Sequence, residues 1–163
     1  MVLKSYAKIN LSLSVTKKLR NGLHDIQSFF CLINLSDRIT IKKLNDKKSD
    51  IINFVGPYSK YVDNYNNSIQ KVLDIMRKTK LISSYYSIKV HKKIPVFAGL
   101  GGGTSNAYTV FRFLTKKRVN RNILDKIINY VGSDFRLFII KQGLFINIKK
   151  IIKFKKNYNF HFL

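Results

Sequence analysis

Glutamate is absent from this sequence, and all eight acidic residues are aspartates. The chain has 31 lysines and arginines, so its formal net charge at pH 7 is +23 over 163 residues. Such a charge is one signature of a protein that binds nucleic acid or an anionic membrane. The basic residues are spread along the whole chain, however, and no basic stripe with interleaved aromatic residues precedes the C-terminal segment. Nucleic-acid binding is therefore a secondary hypothesis.

Cysteine and long apolar runs are also scarce. The single cysteine excludes an internal disulfide, and Cys31 lies in the apolar run 29–33, so we expect a buried hydrophobic residue and not a nucleophile. No stretch reaches the length of a membrane span, and the first residues do not form a signal peptide. His91 and His161 have no partners at metal-ligand spacing, so no protein metal site is expected. We predict a cytoplasmic protein without a membrane partner; an organelle matrix stays open.

The order of apolar patterns predicts an α+β fold with a mostly antiparallel or mixed sheet. Leu11, Leu13 and Val15 alternate with polar residues and predict a half-buried strand, and Asn21-Gly22 predicts a turn. The remaining predicted strands are 26–33, 37–43, 51–55, 86–91 and 135–148, the last of them broken at 142–143. The predicted helices are 68–78, with an N-cap at Asn67 or Ser68, 104–114, and 123–131, which ends at Gly132.

Four of the eight glycines fall within the five positions 99–103, and Thr104-Ser105 follows them. Clustered glycines allow positive φ and close approach of a ligand, and a helix N-terminus favours anions, so this loop predicts a nucleotide phosphate site. A P-loop would require a lysine after the last glycine, and the dinucleotide fingerprint would require a glycine at 104. Neither pattern is present.

The stretch 95–105, PVFAGLGGGTS, resembles the central motif of the GHMP kinases. Its form is specifically similar to the 4-diphosphocytidyl-2-C-methylerythritol kinases of non-mevalonate isoprenoid synthesis. Three further segments resemble motifs of that family in the same order: 5–13 (SYAKINLSL), 21–28 (NGLHDIQS) and 131–138 (VGSDFRLF). Four ordered segments are far more specific than one glycine loop.

The resemblance implies the two-layer α+β fold of the GHMP kinase N-terminal domain, which is similar to a ribosomal-protein domain. It covers about the first 145 residues. We expect an ATP-binding domain at 1–148 and a basic aromatic tail at 149–163, with the family's C-terminal domain absent. We also expect the face that the second domain would cover to be apolar and exposed, which favours self-association or a separate chain that completes the site.

The resemblance also implies roles for individual residues. Asp134 matches the catalytic aspartate and Lys8 the active-site lysine, while Asn10 and His24 match positions near the cytidine-bearing substrate. Thr104 or Ser105 could contact phosphate or Mg²⁺, or cap the following helix. The residues expected around the ATP phosphates are Pro95, Val96, Phe97, Ala98, Gly99, Leu100, Gly101, Gly102, Gly103, Thr104 and Ser105.

Three functional hypotheses follow. The first is an ATP-dependent kinase that uses Mg²⁺ and phosphorylates the hydroxyl of 4-diphosphocytidyl-2-C-methyl-D-erythritol. The second is a remnant that binds nucleotide without catalysis, and the third is a basic RNA-binding module. A salt-sensitive affinity for RNA, with no response to ATP, would favour the third hypothesis.

Overall fold

The computed structural model describes residues 1–18, 24–45, 48–115, 119–146 and 150–154, with the His24 side chain outside this description. The strands are β1 (Leu3–Lys18), β2 (His24–Leu44), β3 (Ile51–Val55), β4 (Tyr85–His91), β5 (Gln142–Ile146) and β6 (Lys150–Lys153). The helices are α1 (Ser68–Lys78), α2 (Gly102–Thr115), α3 (Arg121–Val131) and α4 (Phe135–Ile140), and a short 3₁₀ turn covers Ser59–Tyr61. The predicted α+β class is confirmed.

The 21-residue strand β2 organises the sheet. Residues 24–39 of β2 pair with β1 along one edge, and its other edge pairs with β5 through 27–31 and with β4 through 38–44, all antiparallel. Strand β3 adds to β4 in parallel, and β6 adds to β5 antiparallel. The sheet is therefore mixed, as the sequence predicts, with the order β3-β4-β2-β5-β6 and β1 alongside β2.

Two hydrophobic clusters hold the layers together. The larger one joins the β4 end of the sheet to α1, α2 and α3, and the smaller one joins Phe30 of β2 to Leu137 and Phe145. Fully buried members of the larger cluster are Ile39, Ile69, Val72, Leu73, Met76, Ile88, Val90, Ala107, Val110, Ile127 and Phe135. Cys31 is buried as expected, and burial raises the pKa of its thiol. In the described part of the chain, no helix is long and apolar enough to cross a membrane.

Helix α1 has the bounds that its apolar spacing predicts. The Asn67 side chain accepts hydrogen bonds from the backbone N–H groups of Ile69 and Gln70, at 3.1 and 3.0 Å, and therefore caps the helix. The same segment has an Asx turn in which the N–H groups of Asn66 and Tyr65 lower the pKa of Asp63. These bonds fix the chain where it enters α1.

Three predictions from the apolar pattern are wrong. The predicted strands 26–33 and 37–43 are one continuous strand, β2. Phe135–Ile140 forms the short helix α4 and not a strand, because Phe135 and Phe138 bury the same face at helical spacing. The outer half of β1 is a strand but is not half-buried: Leu11, Leu13 and Val15 are 38%, 56% and 62% exposed. The segment 150–153, which the sequence assigns to the tail, forms the edge strand β6. The predicted turn at 21–22 lies outside the described residues.

Candidate active site

The glycine loop connects β4 to α2 through backbone conformations that other residues rarely adopt. Gly99 and Gly101 have φ of +72° and +68°. A Cβ at Gly101 would lie 3.0 Å from the Phe138 ring and 3.1 Å from Lys8 Cγ, whereas a Cβ at Gly99 would meet nothing within 4 Å. Glycine is therefore favoured at 101 by both conformation and space, and at 99 by conformation alone.

Phe97 adopts the same left-handed region without being glycine. Its φ is +64°, and its side chain is 93% exposed. A left-handed backbone costs an L-residue about 1–2 kcal/mol. Lys80 and Lys141 also have positive φ, at 58° and 72°, and Phe97 differs from them because it presents a bulky exposed ring at the start of the glycine loop.

A cavity of about 580 Å³ lies between this loop and the segment that leads into α1. All of the predicted phosphate-site residues from Pro95 to Thr104 line it, together with the first turn of α2. Tyr61, Asp63, Asn67, Lys71 and Lys92 also line it, so its walls carry both cationic and polar groups. Backbone N–H groups at the start of a helix and nearby lysines together suit a polyanion.

Lys8, Asn10 and Asp134 meet beside the cavity. The Lys8 backbone N–H donates to the Leu100 carbonyl at 2.9 Å, which ties β1 to the glycine loop. The Lys8 ammonium is nearly buried; it lies 3.3 Å from Asp134 Oδ2 and donates to Asn10 Oδ1 at 3.3 Å. Lys8 and Asn10 are two residues apart on a strand and so share a face. The Asp134 side chain is 40% exposed, lines the cavity and is free to meet a ligand.

Ser105 differs from its neighbours in the predicted phosphate site. Its hydroxyl is buried, donates to the Tyr6 carbonyl at 2.6 Å and accepts from the Ser5 hydroxyl at 2.8 Å. Ser105 is not among the residues that line the cavity, whereas Thr104 is. The Ser105 side chain therefore joins α2 to β1, so that of the pair Thr104-Ser105 only Thr104 lines the cavity. His24 begins β2, and its side chain lies outside the described part.

A buried ion pair beneath the loop was not predicted from the sequence. Lys92 lines the cavity, and its ammonium pairs with the carboxylate of Asp37, which is fully buried. Asp37 also accepts from the backbone N–H groups of Lys93 and Ile94, at 2.7 and 2.9 Å. Lys92 is one of many lysines, and its partner lies 55 residues away, so no local signal identifies the pair.

Asn106 is a second site residue that the sequence reasoning missed. It is buried and lines the cavity, and within the described residues its Oδ1 has no hydrogen-bond donor. Buried polar atoms are rarely left unpaired in proteins, because the loss of water is not compensated. The Oδ1 atom is itself sealed from the cavity, so a ligand could reach it only after a movement of the Asn106 side chain.

An aromatic cluster positions α4, the helix that begins after Asp134. The Tyr108 ring on α2 packs edge-on against Phe135, with ring centroids 5.6 Å apart, and stacks with Phe138 at 6.3 Å. Phe111 makes a further edge contact with Phe135 at 5.5 Å. The helix that follows the glycine loop therefore also holds the element that carries the candidate aspartate.

Comparison with known families decides the classification. Residues 67–150, just over half of the chain, match the family described as GHMP kinases N terminal domain. The chain belongs to the GHMP kinase family. The resemblance in the sequence motifs is thereby confirmed, and the glycine loop, α2 and Asp134 all lie within the matched region of this GHMP kinase domain.

Individual relatives agree with this assignment. The chain is 42% identical over 167 residues to the 4-diphosphocytidyl-2-C-methyl-D-erythritol kinase of Pelagibacter ubique, covering 99% of this chain and 58% of that protein. It is 38% identical to the kinase of the same name from Thermosipho melanesiensis, covering 85% of this chain and 48% of that protein. The chain thus spans about half the length of the curated relatives it matches.

Solved structures support the fold. A crystal structure of a 4-(cytidine 5'-diphospho)-2C-methyl-D-erythritol kinase has a TM-score of 0.71 and 24% identity, covering 94% of this chain and 55% of that one. A crystal structure of a mevalonate kinase has a TM-score of 0.58 and 15% identity, covering 95% of this chain and 56% of that one. The expected N-terminal fold of GHMP kinases is confirmed.

Proposed function

We propose that this chain catalyses, or supplies half of the site for, ATP-dependent phosphorylation of the hydroxyl of 4-diphosphocytidyl-2-C-methyl-D-erythritol. The observation that carries the proposal is the Lys8–Asp134 ion pair, 3.3 Å long, beside the glycine-loop cavity. An ion-paired carboxylate next to a phosphate cradle suits phosphoryl transfer to an alcohol, because it can position the hydroxyl and accept its proton. The relatives whose names specify this substrate support the acceptor.

ATP is the donor that fits the cavity. The glycine loop and the first turn of α2 line the cavity, where their backbone N–H groups would bind phosphates, and the Lys71 side chain adds positive charge. The cavity therefore offers partners to the phosphates of the nucleotide.

Mg²⁺ would enter with ATP. The Thr104 hydroxyl and the Asp134 and Asp63 carboxylates are oxygen donors that line the cavity, and oxygen ligands fit this hard cation. Among the described residues, no three histidine, cysteine or acidic side chains are grouped closely enough to hold a metal ion. The bound ion would neutralise charge on the phosphates.

Asp134 and Lys8 have different roles at the acceptor hydroxyl. The Asp134 carboxylate takes the proton of the substrate hydroxyl, whose oxygen forms a bond to the γ-phosphorus of ATP. The bond between that phosphorus and the β–γ bridging oxygen breaks, and ADP leaves. The Lys8 ammonium stabilises the negative charge on the attacking oxygen and orients Asp134. Asn10 and His24 would contact the cytidine-bearing substrate.

Phosphorus NMR of the purified chain with Mg-ATP and 4-diphosphocytidyl-2-C-methyl-D-erythritol tests this function. The wild type should give a new phosphomonoester signal, and Asp134→Asn should lower its rate of appearance by about 10²- to 10⁴-fold, the range of general-base catalysis. Asp125→Asn is the matched control: Asp125 is also exposed (47%, against 40% for Asp134) and ion-paired, but it lies outside the cavity.

The other outcomes separate the alternative functions. ATP binding without turnover in the wild type would favour a nucleotide-binding remnant, or a site that a second chain completes. Equal rates in wild type and Asp134→Asn would contradict the role of Asp134. RNA binding that weakens with salt, in a protein that does not respond to ATP, would contradict the kinase proposal.

A further inference from the structure

Phe97 combines three properties that are found together at no other non-glycine residue with positive φ in the described part of the chain. Its backbone is left-handed, with φ of +64°, its side chain is 93% exposed, and it lines the nucleotide cavity. A strained conformation normally persists because surrounding contacts enforce it. The exposed ring makes almost no contacts within the described part of the chain, so packing of the ring does not explain the conformation.

We propose that the Phe97 ring packs on the base of the bound nucleotide and thereby strengthens ATP binding. This inference rests on the proposed function, since it assigns a further binding residue to the same site. Backbone strain concentrates at ligand-binding positions, where it holds a side chain ready for contact. Phe97 is placed in this way at the start of the loop whose glycines line the proposed phosphate site.

The chemistry of the Phe97 ring favours contact with the base of the nucleotide and not with its phosphates. A phenyl ring donates no hydrogen bond, and its face carries partial negative charge, so it gains nothing from a polyanion. A planar heteroaromatic base, in contrast, stacks on an aromatic side chain. Tyr61, a second exposed aromatic residue, lines the same cavity, so the cavity offers a planar base two aromatic surfaces.

Calorimetric titration of Mg-ATP and of Mg-tripolyphosphate into wild type and Phe97→Ala tests the proposal. Tripolyphosphate engages the phosphate cradle but has no base. Phe97→Ala should weaken ATP binding by about 5- to 100-fold, the range of base–aromatic stacking, and should leave tripolyphosphate binding unchanged. Tyr65→Ala is the matched control, because Tyr65 is 91% exposed but does not line this cavity, and it should leave both affinities unchanged.

Two further variants separate binding from folding. Phe97→Gly should not lower the Tm, because relief of the positive φ offsets the backbone entropy that glycine adds, although it should weaken ATP binding as Phe97→Ala does. The chain contains no tryptophan, so Phe97→Trp places a single indole at the cavity. Its fluorescence should change on addition of ATP and not on addition of tripolyphosphate.

Each contrary result overturns the proposal in a distinguishable way. If the wild type binds ATP and Phe97→Ala binds it equally well, Phe97 has no contact with the base and the proposed function survives. If Phe97→Ala weakens ATP and tripolyphosphate equally, the residue acts on the conformation of the loop and not on the base. An indole signal unchanged at saturating ATP overturns the contact directly. Failure of the wild type to bind ATP overturns both this inference and the proposed function.

Discussion

Gly101 lies where the glycine loop, α4 and β1 come together. Its φ is +68°, and the space beside its Cα is bounded by the Phe138 ring and the stem of Lys8. Any side chain at 101 would therefore press on the lysine that pairs with Asp134. Gly99 shares the conformation but faces open space. The two positions thus separate the effect of backbone strain from the effect of crowding.

Gly99→Ala should lower the free energy of unfolding by about 1 kcal/mol, because alanine pays only for the left-handed backbone. Gly101→Ala should lower it by about 2–4 kcal/mol, since crowding adds to that strain, and it should also displace Lys8 and reduce turnover. Urea denaturation of both variants measures the difference. Equal losses of stability would show that the neighbours of Gly101 move aside without cost.

At the scale of secondary-structure elements, the Asp37–Lys92 pair joins β2 to the segment between β4 and the glycine loop. One carboxylate receives the Lys92 ammonium and two backbone N–H groups, so it fixes the chain at 92–94, just before Pro95. A buried charge that loses its partner is strongly destabilising, whereas removal of both charges is often tolerated. The glycine loop is therefore positioned by the Asp37–Lys92 ion pair on one side and by the hydrogen bond from the Lys8 backbone N–H of β1 on the other.

Asp37→Asn should lower the free energy of unfolding by about 3–5 kcal/mol, because it leaves the Lys92 ammonium buried without a counter-charge. The double variant Asp37→Asn with Lys92→Met should recover much of that loss, since no charge then remains unpaired. A double-mutant cycle by urea denaturation gives the coupling between the two residues. Additive losses would mean that Lys92 reaches water once Asp37 is neutral.

Sequence reasoning predicted the elements whose apolar residues recur with a clear period. Helix α1 has the predicted bounds, and the cap at Asn67 is confirmed, because spacing and capping depend on neighbouring residues. α4 was missed because a six-residue apolar run carries too few turns to show a helical period. The alternation at Leu11, Leu13 and Val15 shows which side chains share a face, but not whether another layer covers that face.

The candidate site shows the same contrast between features that local sequence reveals and features that depend on long-range contacts. Residues 95–104, Lys8 and Asp134 were identified through motifs, and the structure brings them to one cavity or its edge. The sequence gives no sign of Asp37 or of the orphaned acceptor of Asn106, because both depend on contacts between distant parts of the chain. The role expected for the Ser105 hydroxyl at phosphate competes with its buried bonds to β1. Residue-level roles at the site stay predictions.

At the scale of the whole molecule, a high positive charge and an exposed apolar surface have opposite effects on self-association. The formal net charge is +23, and the outer half of β1 exposes Leu11, Leu13 and Val15 in a row. Mutual repulsion keeps such molecules apart at low salt, whereas burial of apolar area favours contact with a second copy. Ionic strength therefore decides which effect prevails.

We expect reversible self-association that increases with salt, because the Debye length falls from about 10 Å at 0.1 M to about 3 Å at 1 M. Leu13→Lys should weaken it, and Tyr65→Lys, which adds the same charge at an exposed position away from this row, should weaken it less. Sedimentation velocity over a range of concentration and salt measures both effects. A monomer throughout that range would contradict the prediction, as would equal effects of the two variants.

Strand β2 belongs to both hydrophobic clusters, with Ile39 in the larger and Phe30 in the smaller, and α4 also contributes to both through Phe135 and Leu137. We expect local unfolding to follow this division, with two cooperative units of unequal size that share β2. The small unit, with few buried side chains, should open at lower free energy than the unit built on α1, α2 and α3. Because Phe135 lies in the larger cluster, Asp134 should keep its place beside Lys8 when the β5–β6 edge opens.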